Sequence, residues 1–96
     1  MPNYTTMIRD KYNEIKTKHP DALLMFRVGD YYKLYNTDAA KLLKLVPSLI
    51  RTWECNVDDE GDEIYTATFP NYKLSAYITK IIRAGYRVAI CDDITK

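Results

Sequence analysis

From Arg27 to Tyr35 the chain reads Arg-Val-Gly-Asp-Tyr-Tyr-Lys-Leu-Tyr, and this run holds the side chains best suited to binding chemistry. If Tyr31 to Tyr35 is extended, side chains alternate between faces, so Tyr31, Lys33 and Tyr35 share one face while Tyr32 and Leu34 take the other. One face packs on a core, and the other presents a flat ring beside a hydrogen-bond donor. That pairing suits a nucleobase, because the ring can stack on the base plane while its neighbour reaches the base edge. The competing reading is a tyrosine-rich sheet face with no ligand, since aromatic residues are common in strands.

Such a site needs an element to carry it. Ala22 to Val28 is an almost continuous apolar run ending at Gly29-Asp30, which predicts a strand buried on both faces and then a turn that leads into Tyr31. Upstream, Ile8, Tyr12 and Ile15 recur at helical spacing within Thr6 to Lys18, and His19-Pro20 ends that helix. Downstream, Asn36 or Thr37 caps a short helix from Asp38 to Lys44, which Pro47 terminates. Period-two alternation then predicts a strand from Ser48 to Val57, with Leu49, Trp53, Cys55 and Val57 inward. Arg51 falls on that apolar side, its stem packed near a sheet edge and its head in solvent. Asp58 to Asp62 turns the chain into a strand from Glu63 to Phe69. Leu74, Tyr77, Ile78, Ile81 and Ile82 mark a helix closed by Gly85, and Arg87 to Cys91 reads as a last buried strand. No repeat or linker interrupts the 96 residues, so residues 1–96 are expected to form one α+β domain that folds alone. Its mixed sheet should have about five to six strands packed with about three helices.

Composition narrows the function. The 47% hydrophobic and 28% charged content is that of a globular protein, not of a disordered tail or a membrane protein. The longest apolar runs are too short for a bilayer span and the N-terminus lacks the layout of a secretion signal, so a cytoplasmic location without membrane contact is expected. Fourteen basic side chains are nearly cancelled by 13 acidic ones, for a net charge of +1. Asp58, Asp59, Glu60, Asp62 and Glu63 crowd into one turn, which leaves the remaining surface more basic than the total suggests. Any phosphate contact should therefore lie away from that turn.

Other chemistries fit less well. Asn56 to Asp62 has the oxygen spacing of a calcium loop, but Ala67 stands where a closing bidentate glutamate is required. His19 is the sole histidine, which excludes a multi-histidine metal site and leaves Ser48 and Ser75 without a convincing triad. Cys55 and Cys91 lie in separate apolar runs and read as buried free thiols. No metal, cofactor or catalytic activity is expected.

Several short blocks in order carry a family resemblance. The run from Arg27 to Tyr35 is followed by Asp38-Ala39, then Phe69-Pro70 ahead of Tyr77 to Gly85, then Arg87-Val-Ala-Ile-Cys-Asp92. Over roughly Tyr4 to Ile94 the chain resembles the N-terminal mismatch-recognition domain of MutS-family DNA repair proteins. The resemblance implies that the residue at Tyr31 wedges into a duplex and stacks on a mispaired base, and that the residue at Lys33 bonds to that base. The family pattern there is phenylalanine, any residue, glutamate. Tyrosine keeps the flat ring, with a hydroxyl that needs water or a polar partner. Lysine reverses the charge and leaves a donor-only group, suited to guanine O6 and N7 or to a phosphate. Members specialised for extrahelical loops use a tyrosine and lysine pair in this region. The stretch before Pro70, Thr66-Ala-Thr-Phe69, also departs from the family's small residues.

Two functions follow as expectations. In the first, the chain is a module for double-stranded DNA, mismatched or looped, in which Tyr31 probes stacking and Lys33 contacts base or backbone. Arg27, Lys73 and Arg9 are the phosphate contacts that charge alone offers. Without a nucleotide-cradling Gly-x-x-x-x-Gly-Lys-Ser/Thr loop it is not expected to hydrolyse ATP, and alone it should bind DNA weakly, with Kd of roughly 10⁻⁴ to 10⁻⁶ M. In the second, it is a non-catalytic protein-interaction or scaffold domain that kept the fold and lost DNA recognition, its exposed tyrosines meeting a protein partner. Nothing in the sequence fixes an oligomeric state.

Overall fold

Asn3 starts the first helix: its side-chain oxygen accepts from the Thr6 backbone N–H at 2.7 Å, satisfying one of the donors a helix N-terminus leaves open. The computed structural model describes residues 3–94. Helix α1 runs Tyr4–Lys18, two residues earlier than the apolar stripe announces, and His19 closes it with its N–H on the carbonyls of Ile15 and Lys16. Strand β1, Ala22–Val28, buries Leu23, Leu24, Met25 and Phe26 in succession. The reason is its central place, because helices cover both of its faces and strands flank both of its edges.

Five strands form one mixed sheet in the order β3-β4-β2-β1-β5. These are β1, β2 (Tyr31–Tyr35), β3 (Glu54–Val57), β4 (Glu63–Pro70) and β5 (Arg87–Cys91). Only β1 and β5 pair in parallel; the other neighbours are antiparallel. The two remaining α-helices are α2 (Asn36–Leu45) and α3 (Leu74–Arg83), and short 3-10 segments occupy Pro47–Thr52 and Asn71–Lys73. This is the expected α+β domain.

The sheet divides the interior in two. On one face Leu23, Met25, Tyr32, Leu34, Ala67 and Phe69 pack with Ala39 and Leu42 of α2, Leu49, and Tyr77 and Ile81 of α3. On the other, Leu24, Phe26, Tyr35 and Ile64 pack with Tyr12 of α1 and with Ile94. Helix α3 ends as expected. Gly85, at φ 91°, lets the N–H of Tyr86 reach the Ile81 carbonyl and its own N–H reach that of Ile82, the paired bonds of a Schellman closure.

Three local expectations are corrected. The segment Ser48 to Thr52 is a 3-10 turn rather than the start of a strand. Pro47 fixes φ at its first position, the Leu49 N–H bonds the Val46 carbonyl at 3.0 Å, and the Trp53 N–H bonds the Ile50 carbonyl at 3.3 Å. Leu49 is still buried, but Cys55 and Val57 are exposed, because β3 is an edge strand with no helix over it. Neither Asn36 nor Thr37 caps α2: the cap position is Tyr35 and has no side-chain bond. Asn36 instead adopts φ 49°, which asparagine tolerates better than most residues, and accepts from the Tyr65 N–H at 3.1 Å.

Candidate nucleic-acid interface

A two-residue loop, Gly29-Asp30, joins β1 to β2, with Val28 directly opposite Tyr31. Gly29 has φ 60° while Asp30 stays at negative φ, the pattern of a type II′ turn, which favours glycine at its first central position. A Cβ at Gly29 would meet nothing within 4 Å, so the requirement for glycine is torsional, not steric. The turn is tied to the end of β4 by the Asn71 N–H, which bonds the Asp30 carbonyl at 2.8 Å.

Tyr31 is the first residue after this turn, flanked by Val28 on one side and Pro70 on the other, and its side chain is 51% exposed. Lys33 follows on the same face, half-buried between Phe26 and Thr68. No hydrogen bond or ion pair engages its ammonium among the described residues. The third member of the expected face, Tyr35, is not part of an open surface. Its ring lies 5.6 Å from Phe26 and 5.9 Å from Tyr12, and burial beneath α1 pushes its hydroxyl pKa well up. Only the turn end of this face is accessible, since α1 covers the rest.

Behind the turn the opposite face is braced by rings. Tyr32 stacks on Phe69 at 5.6 Å, and Phe69 meets Tyr77 edge-on at 4.9 Å. Arg27, paired with Tyr32, lays its guanidinium 5.3 Å from the Tyr32 ring centroid and donates to the Gly29 carbonyl. Arg27 is thus beside the turn but on the face opposite Lys33. Lys73 lies three residues beyond Pro70 at the start of α3, exposed, with no acidic residue in that helix's first turn. Tyr72 just before it, 78% exposed, is an aromatic group at this end of the sheet that the sequence reading did not single out.

Arg9 is elsewhere. It lies against the acidic β3–β4 turn, at the far end of β4 from Pro70, and an eight-residue strand makes that separation about 23 Å. Its guanidinium contacts Asp58 at 2.5 Å, Asp10 at 3.0 Å and Glu60 at 3.4 Å, and the bonds to Asp10 and then Asp58 hold its pKa above the usual arginine value. Asp58 is buried by solvent accessibility, and that burial pushes its pKa up. The N–H groups of Asp62 and Glu60, together with Arg9, outweigh it and keep the carboxyl below its ordinary range. Asp59 completes the dock, accepting from the Asn3 N–H at 2.8 Å while its own N–H bonds Thr6 Oγ1 at 2.8 Å. The turn resembling a calcium loop therefore uses these oxygens to fasten itself to α1.

Asp38 is a second buried acid and was not anticipated. At 0% exposure it accepts from Tyr12 Oη at 2.7 Å, Lys16 Nζ at 2.9 Å and the Leu24 N–H at 3.3 Å. One carboxylate thereby joins α2 to α1 and to the central strand. Burial, and after it the bond to Asp38, pushes the Tyr12 hydroxyl pKa well up.

Among the described residues no group of three His, Cys, Asp or Glu is arranged to hold a metal ion. Both cysteines are free, but Cys55 is exposed on the β3 edge and Cys91 only partly buried, which corrects the expectation of two buried thiols. No helix among the described residues is long and apolar enough to cross a membrane.

The fold and this end of the sheet define a small α+β module that presents an aromatic ring and a cation from a rigid hairpin turn. The family model described as MutS domain I matches residues 5–96. The chain belongs to the MutS domain I family. It is 40% identical over 89 residues to the DNA mismatch repair protein MutS of Christiangramia forsetii, and 42% identical over 89 residues to that of Parabacteroides distasonis. Against the protein of the same name from Methanothrix thermoacetophila the identity is 36% over 87 residues. These matches cover 93%, 93% and 91% of this chain but only 10% of each relative, so the chain spans about a tenth of their length.

Proposed function

We propose that the chain is a recognition module for double-stranded DNA that reads mispaired, unstacked or looped bases during mismatch repair in the cytoplasm, as a binder and not as a catalyst. The observation that carries this reading is the half-exposed ring of Tyr31, held at a braced glycine turn beside a lysine without an ion-pair partner. Family membership supports it, because the relatives are DNA mismatch repair proteins by name.

Magnitudes favour discrimination by stacking. Opening a base step costs a few kcal/mol, while an aromatic ring stacked on a base contributes about 1–3 kcal/mol. Tyr31 alone therefore does not open a well-paired step, but it can occupy one that a mispair or an extra base has already weakened. The Tyr31 hydroxyl stays wet or bonds a polar group of the DNA. Lys33 donates to a base acceptor or a phosphate oxygen, and Arg27 and Lys73 meet the backbone on either side of the turn. We assign Arg9 to the fold, since its guanidinium is engaged by carboxylates at the far end of β4.

Fluorescence anisotropy with matched, G·T-mismatched and single-loop duplexes in about 50 mM salt tests the assignment. The natural chain should prefer the defective duplexes, and Lys33→Glu should weaken all three while changing their ranking. Absence of binding to every duplex overturns the reading and leaves the protein-interaction role in its place.

A further inference from the structure

A cavity of about 140 Å³ opens on the α2–α3 side of the sheet, next to the turn end that presents Tyr31. Its walls come from the 3-10 turn Pro47–Thr52, the last residues of β4, and the start of α3. Six of its lining residues carry polar side chains: Ser48, Arg51, Thr52, Thr68, Lys73 and Tyr77. No aspartate or glutamate is among its lining residues.

Neither Arg51 nor Lys73 makes an ion pair among the described residues, whereas Arg9 and Lys16 are both engaged by buried carboxylates. Tyr77 adds a neutral donor. The residue is 8% exposed, its ring is fixed edge-on against Phe69, and its hydroxyl bonds no other described residue but reaches solvent, since no buried side-chain oxygen among the described residues lacks a partner. That hydroxyl is therefore open to a ligand in the cavity it lines. The Thr52 hydroxyl is already committed to the Thr68 carbonyl at 2.6 Å, which fixes the 3-10 turn against β4 and so places Arg51 over the cavity.

We infer that this cavity is a binding site for one phosphate group, held by Arg51 and Lys73 with Tyr77 and Ser48 as neutral donors. The ligand class is a tetrahedral oxyanion. A planar guanidinium fork gives it two parallel bonds, and a lysine at a helix N-terminus without acidic neighbours adds charge of the same sign. On the reading proposed above, that phosphate belongs to the DNA backbone beside the step that Tyr31 probes, since Pro70 both lines the cavity and pairs with Tyr31. Arg51, which alternation placed at a sheet edge with a solvated head, thus becomes a contact in its own right.

Two measurements test this on the 96-residue chain. Backbone amide spectra titrated with inorganic phosphate against chloride at constant ionic strength should show saturable shifts at Ser48, Arg51, Lys73 and Tyr77. Those shifts should disappear in Arg51→Gln/Lys73→Gln and weaken in Tyr77→Phe, with the melting temperature of each variant confirming its fold. For duplex binding, the slope of log affinity against log salt should fall by about 0.9 in the double variant, one phosphate contact, and stay unchanged in Tyr31→Ala. Non-saturating shifts scattered over surface lysines, or an unchanged salt slope, overturn the site. Saturable phosphate shifts in a chain that binds no duplex uphold the cavity and overturn its assignment to DNA.

Discussion

Replacing Asp38 with alanine removes the carboxylate on which three elements converge, and the loss follows from its partners. Tyr12 Oη, Lys16 Nζ and the Leu24 N–H all point at a group with 0% exposure. Breaking a buried charge pair by deleting one member costs about 3–5 kcal/mol. Lys16 keeps 22% side-chain exposure and a bond to the Ala22 carbonyl at 2.5 Å, so part of its solvation returns and the lower end applies. The expected loss is about 3 kcal/mol. For a domain this small each kcal/mol shifts Tm by about 4–8 °C, which makes the drop about 12–24 °C. Urea unfolding followed by far-ultraviolet circular dichroism measures it directly. Asp38→Asn should cost less, because it still accepts from Tyr12, and Tyr12→Phe combined with Lys16→Met and Asp38→Leu should recover part of the loss by removing the three polar side chains together. A loss below about 0.5 kcal/mol for Asp38→Ala would refute the claim that this acid joins the two faces.

Further outcomes follow from the same geometry. Asp58 is held below the ordinary carboxylate value of 3.8, so its contribution is fully present above that pH and is lost as pH falls through the lower folded value. Melting temperature measured from pH 5 downward should therefore fall less steeply for Asp58→Asn than for the natural chain. Gly29→Ala meets no steric obstacle but must hold φ 60°, and should lose about 1 kcal/mol in urea unfolding while displacing Tyr31. Phe69→Ala removes a fully buried ring that links Tyr32 to Tyr77, and should cost about 3–5 kcal/mol by the same assay.

What the sequence made legible was what short-range physics decides. The Ile8, Tyr12 and Ile15 stripe, the apolar run of β1, the Gly29 turn and the closing glycine at position 85 each depend on spacing or torsion within a few residues. Each lies where the pattern places it. The misreadings needed tertiary knowledge. Leu49, Arg51 and Trp53 alternate as a strand would, yet Pro47 and the bond from the Thr52 hydroxyl to the Thr68 carbonyl hold Pro47–Thr52 as a 3-10 turn against β4. Cys55 and Val57 look inward until β3 is known to be an edge.

The site divides along the same line. Tyr31 and Lys33 on one face followed from strand alternation alone. That Tyr35 is closed off beneath α1 depended on where that helix packs. Asp38 reads as an N-terminal helix acid, and only the approach of Tyr12 and Lys16 from α1 makes it a buried junction. Arg9 reads as a free cation until the acidic turn folds against it. No local pattern reports which charges a fold will neutralise.

The most direct test of the account compares Tyr31→Ala and Tyr31→Phe with the natural chain on matched and mismatched duplexes at fixed low salt. Losing about 1–3 kcal/mol of stacking corresponds to roughly 5- to 150-fold weaker binding of the mismatched duplex for the alanine variant, with the matched duplex little affected. The phenylalanine variant should bind close to normally. Equal affinity of the alanine variant and the natural chain for the mismatched duplex, with both folded, would contradict the claim that this ring reads the base.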